Sequence, residues 1–79
     1  MEFLTKKQVG EITGYSISRL NSLLQKNEIP IRRLAGGNVR IWKADLYAFM
    51  LYNKQYSKCS KVEKQIIKEA IVEVDDYGI

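Results

Sequence analysis

The sequence predicts a mostly α-helical domain with one small β-hairpin and an amphipathic helix added at the C-terminal end. Three observations predict it. Two cap-bounded helical segments are separated by a short Gly-containing turn, the apolar period after Pro30 changes to that of a strand, and the last segment carries an unbroken apolar stripe. With 46% hydrophobic and 28% charged residues in 79, the chain is too apolar to stay disordered and long enough for one thin core.

Thr5 opens the first helix, Lys6 to Thr13. Its hydroxyl accepts from the backbone three residues on and Gln8 reaches back, making a capping box. Val9 and Ile12 then share a face, Gly14 ends the run as a left-handed residue, and Leu4 packs ahead of it as a hydrophobic staple. Ser16 caps the second helix, Ile17 to Lys26. There Ile17, Leu20, Leu23 and Leu24 are spaced as a single apolar stripe, while Ser18, Arg19, Ser22, Gln25 and Lys26 lie off it. Asn27 is a suitable C-terminal residue, and Pro30 forbids continuation.

IRRL, AGGN and VRIW then read as a hairpin from Ile31 to Trp42, with Gly36, Gly37 and Asn38 at a tip that tolerates positive φ. Arg32 and Arg40 alternate with Ile31, Val39 and Ile41, and Arg33 breaks the alternation. From Lys43 to Asn53 a third helix offers Leu46, Tyr47, Phe49 and Met50 to the core, with Trp42 sealing the base of the hairpin. Ser60 and Glu63 form a second capping box, after which Val62, Ile66, Ile67, Ala70, Ile71 and Val74 make one stripe.

The net charge of +4 is unevenly divided: Met1 to Cys59 holds ten Lys and Arg against four Asp and Glu, and Ser60 to Ile79 three against five. A basic body suits a polyanion, and an acidic amphipathic tail suits a protein partner or solvent. Cys59 has no second cysteine to pair with, and without histidine there is no ordinary zinc constellation, so no metal or other cofactor is expected. Catalysis is not expected either. No phosphate-binding loop of the GxxxxGK[ST] form is present, and Glu11, Glu28 and Asp45 read as solvated or capping groups. No apolar run approaches the roughly 18 residues of a membrane span, and the start lacks the apolar middle of a secretory signal. The expectation is a cytoplasmic protein of a bacterial or phage-infected cell, with no membrane partner.

Two helices joined through a Gly turn, the second capped by serine and faced with small polar and basic side chains, meet the needs of a helix-turn-helix. Ser18, Arg19, Ser22 and Gln25 suit base edges or phosphates; Arg19 fits bidentate contact with guanine, and Ser16 and Lys26 fit phosphate. Around the tip of Gly36, Gly37 and Asn38, the hairpin can bring Arg32, Arg33 and Arg40 onto a sugar-phosphate chain or into a minor groove, as a wing. Residues 1–53 therefore read as a winged helix-turn-helix DNA-binding domain, and 54–79 as a linker and amphipathic helix. That helix leaves two uses open. It either completes the core of its own chain or pairs two copies through Ile67, Ala70, Ile71 and Val74.

The string from Leu4 to Met50 resembles the excisionase-type branch of the MerR-like winged helix-turn-helix domains. Its matching marks are Leu4, Thr5, Lys6, Val9, Ile12, Thr13, Gly14, Ser16, Leu20 to Leu24, Ile29, Pro30, Gly36, Gly37, Val39, Arg40, Ile41, Asp45, Leu46 and Phe49. The resemblance covers Phe3 to Leu51 and implies that the Ile17 to Lys26 helix reads the major groove of double-stranded DNA with the hairpin as wing. It also implies the roles such domains take: phage and transposon excisionases, transcription regulators, and N-terminal domains of phage small terminase subunits. Partners would then include a recombinase or a large terminase subunit, and a second copy through the tail helix. The added helix departs from the many excisionases that end soon after their third helix. A protein-interaction module working through that helix is the alternative class of function.

Overall fold

Local capping sets the boundaries of the first half of the chain. In the computed structural model, which describes residues 3–76 and side chains as far as Val72, α1 spans Lys6–Thr13 and α2 Ile17–Gln25. Gln8 N donates to Thr5 Oγ1 at 3.1 Å and Thr5 N donates to Gln8 Oε1 at 2.9 Å, closing the capping box. Gly14, at φ 75°, ends α1 and donates its N–H to the Gly10 carbonyl. Ser16 Oγ accepts from Arg19 N at 3.1 Å and starts α2. That helix ends in a Schellman motif: Asn27 at φ 57° donates to the Leu24 carbonyl and Glu28 donates to that of Leu23. Asparagine takes this left-handed position more readily than most side chains, and Pro30 follows.

The hairpin strands β2 (Ile31–Arg33) and β3 (Val39–Trp42) pair antiparallel, and β3 pairs on its other side with β1 (Phe3–Leu4) to give the sheet order β1-β3-β2. The chain entering α1, read from sequence only as a staple, is therefore also a strand. Leu4 opposes Ile41 and Ile41 opposes Ile31, so these three side chains share one face. Leu4 and Ile41 are buried there. Arg33 and Val39, the pair nearest the tip, project to the same face but beyond the core, and Arg33 stays exposed. This explains the broken alternation: the strand overhangs the body it packs on.

The helix α3 (Lys43–Tyr52) follows β3 without a loop and is buried on all sides over its first six residues. Its central position explains why its apolar residues form no narrow stripe. Asn53, at φ 55°, ends it. Met50 on its far end is exposed, contrary to the expectation that it joins the core. After one 3-10 turn, α4 (Lys61–Asp76) packs back along α3. Ile67 is 0% exposed in a core shared with Leu20, Ile41 and Leu46, while Ala70 and Ile71 pack against its edge. Of the two uses open for the tail helix, the described residues fill the first. Ile67 has no surface left to offer a second copy, and the Val74 side chain lies outside the described residues. Among those residues no helix is long and apolar enough to cross a membrane.

An ion pair fixes the corner between α3 and α4. Lys54 Nζ lies 2.9 Å from Glu63 Oε2, while Glu63 Oε1 accepts from Ser60 N at 2.8 Å in the second capping box. The hydrogen bond from Lys54, then that from the Ser60 backbone, holds the Glu63 carboxyl below its ordinary pKa. A group depressed in the folded state stabilises above its unfolded pKa and loses that contribution as pH falls through the folded one. Acid titration of the wild type should therefore show a loss of stability through the carboxylate range that is shallower in Glu63→Gln, measured as urea midpoints from neutral pH downward. Equal acid slopes in the two proteins would show that the corner does not form in solution.

Candidate nucleic-acid interface

Around α2 the exposed side chains are small and polar on one side and basic on another. Ser16, Ser18, Gln25 and Lys26 are exposed and Ser22 is half-buried, with Leu20, Leu23 and Leu24 turned into the core. Arg19 lies over the ring of Tyr15, its guanidinium carbon 4.5 Å from the centroid, so the residue linking α1 to α2 also supports the side chain expected to read guanine. From α1, Lys6 Nζ reaches Asn21 Oδ1 at 3.3 Å. Two departures from the sequence reading appear here. Ile17, assigned to the apolar stripe, is 64% exposed at the first position of α2, and Asn21, Lys6 and Tyr15 belong to this surface although spacing alone did not single them out. No periodicity argument finds a residue whose role depends on a neighbour from another helix.

The hairpin tip is built by Gly36 and Gly37 at φ 86° and 81°, closed by Gly37 N donating to the Leu34 carbonyl and Leu34 N to that of Asn38. Any side chain at either glycine position would be strained there. Gly36, Gly37 and Asn38 are all exposed. The three arginines differ in their commitments. Arg33 is exposed and has no partner among the described residues. Arg40 is half-buried and donates from Nη1 to its neighbour's carbonyl, Val39 O, at 2.8 Å.

Arg32 is held more firmly. Its Nε and Nη2 donate to Asp45 Oδ2 at 3.2 and 2.9 Å, and its guanidinium carbon lies 5.3 Å from the Trp42 ring centroid. Asp45 is 1% exposed in the first turn of α3, where the helix dipole favours a negative charge. Asp45 is thus a buried ion-pair partner, correcting its reading as a solvated or capping group. The pair also relieves a cost in the sheet, because Arg32 stands directly opposite Arg40. Trp42 in turn meets Tyr56 edge to face, ring centroids 5.0 Å apart.

Beside Trp42 and Tyr56 runs an apolar groove of about 340 Å³, walled on the α4 side by Lys68, Ile71 and Val72. The basic residues of α2 and of the hairpin tip take no part in it.

These elements define a small, mostly helical domain of four helices and a three-stranded antiparallel sheet among the described residues. Protein-family models, curated proteins and solved structures give no match to the chain.

Proposed function

We propose that this chain is a sequence-specific double-stranded DNA-binding domain of the winged helix-turn-helix kind, acting by contact and without catalysis. In this reading α2 enters the major groove and the β2-β3 hairpin is the wing on the adjacent backbone or minor groove. The observation that carries it is the charge of the exposed surface: Glu28 is the only acidic residue between Glu11 and Asp45, and Asp45 is buried, while Arg19, Lys26 and Arg33 are exposed. A stretch of chain that is basic on a helix face and at a glycine-tipped hairpin is the electrostatic footprint a polyanion requires. The resemblance to excisionase-type domains supports the same reading and suggests a phage or mobile-element protein, excisionase-like or small-terminase-like, or a transcription regulator of that fold.

The test is duplex binding by the full chain as a function of salt. Arg33→Ala should weaken binding to every duplex and flatten the logarithmic salt dependence by about one unit, because one phosphate is no longer neutralised. Arg19→Ala should instead cost about 1–3 kcal/mol on a preferred site and little on random duplex. Wild-type behaviour in both variants would mean that neither α2 nor the hairpin touches DNA. A second reading, a protein-interaction module, has one observation in its favour: the apolar groove beside α4, with Val72 exposed along it.

A further inference from the structure

The exposed surface of α2 presents hydrogen-bond donors around one large apolar side chain. Ile17 sits 64% exposed at the start of the helix, and Asn21, one turn on, is its neighbour along the helix surface. The orientation of the Asn21 carboxamide follows from its partner. The Lys6 ammonium has protons to give and no lone pair, so the carboxamide oxygen faces it at 3.3 Å and the NH₂ group is left to donate elsewhere. Ile17 and Asn21 therefore set an apolar group beside an amide donor, about 5–6 Å apart at the Cβ atoms as any such pair on a helix.

Of the base edges in a major groove, thymine pairs the matching groups, an O4 acceptor next to a 5-methyl. Cytosine presents an amino donor, which the Asn21 NH₂ cannot accept, while adenine through N7 and guanine through N7 and O6 offer acceptors but no methyl for Ile17. We infer that Ile17 and Asn21 together read one thymine, Ile17 packing on its methyl and Asn21 donating to its O4. This rests on the reading of α2 as the helix that enters the major groove. It turns that reading into a statement about the site: a thymine faces the start of α2, close to the base or phosphate held by Arg19.

The test uses duplexes enriched by the full chain from a randomised pool, resynthesised with each thymine in turn replaced by deoxyuridine, which removes only the methyl. One position should weaken wild-type binding about 3- to 10-fold, the worth of one buried methyl group. At that position Ile17→Ala should bind the thymine and uracil duplexes alike, whereas Ile17→Val, which keeps a branched surface, should retain the penalty. Replacement of the same thymine by 5-methylcytosine keeps the methyl and puts a donor where O4 stood. Wild type should reject it, and Asn21→Ala should reject it less. Uracil tolerated throughout an enriched site, or a penalty undiminished in Ile17→Ala, overturns the inference while leaving duplex binding intact. Absence of salt-dependent binding to any duplex overturns the proposed function itself, and this inference with it.

Discussion

Ile67→Asp is expected to remove at least about 3–5 kcal/mol of stability, a large share of the roughly 5–15 kcal/mol that a small domain has, and so to lower the urea midpoint steeply. The argument is one of position. Ile67 is fully buried where α4 lies on α3, in the same core as Leu46 and Ala48. A carboxylate there would forgo the apolar packing, leave a cavity and bring an unpaired charge out of water, three penalties of the same sign. Ile66→Asp is the control one residue away: that side chain is 42% exposed, and its change should stay within about 0.5–1 kcal/mol. Urea denaturation of the two variants reads the difference, and sedimentation tells whether the copies associate. An Ile67→Asp protein that stays folded and differs from wild type only in sedimentation would place Ile67 between copies instead.

Most helix boundaries were legible because they are fixed by chemistry within four residues. Thr5 with Gln8, Ser16, Ser60 with Glu63, and the left-handed Gly14 form the hydrogen bonds or backbone angles their types dictate. The strand β1 was not legible, because two residues cannot display a period and Phe3-Leu4 becomes a strand only through pairing with Trp42 and Ile41. The same holds for the tail. Its stripe announced a helix with something to bury, but amphipathicity states that a face is covered and not by what. The covering surface belongs to α3, a helix whose own composition is too evenly apolar to reveal which side it offers.

At the candidate site the polar types were legible and their commitments were not. Ser18, Gln25, Lys26 and Arg33 are exposed where spacing put them. Arg32 and Arg33 look equivalent in sequence, yet strand alternation sends them to opposite faces, and a carboxylate thirteen positions away takes one of them. Ile17 shows the converse error. A helical wheel puts it at the margin of the apolar stripe, and at the first turn of α2 the core has already ended, so a residue of core type is left in solvent beside Asn21.

Arg32→Ala is expected to cost about 2–4 kcal/mol, less than a fully buried pair because Arg32 is half exposed, and more than the roughly 1 kcal/mol of Asp45→Asn. The asymmetry follows from burial. Removing the guanidinium strands a carboxylate that is 1% exposed, whereas neutralising Asp45 leaves an arginine whose side chain already reaches water. The double variant Arg32→Ala with Asp45→Asn should therefore be more stable than Arg32→Ala alone by about 1 kcal/mol, which, with the cost of Asp45→Asn added back, is a coupling of about 2 kcal/mol in a double-mutant cycle. A strictly additive cycle would show that the pair does not form in solution. The consequence for the hairpin is also measurable, since Arg32 ties β2 to the first turn of α3 and rests on Trp42. If Arg32 acts by holding the wing in position and Arg33 by touching phosphate, Arg32→Ala weakens duplex binding with the salt slope nearly intact, and restoring the fold through Asp45→Asn recovers part of the affinity. A salt slope reduced by about one unit in Arg32→Ala, as expected of Arg33→Ala, would make Arg32 a phosphate contact in its own right.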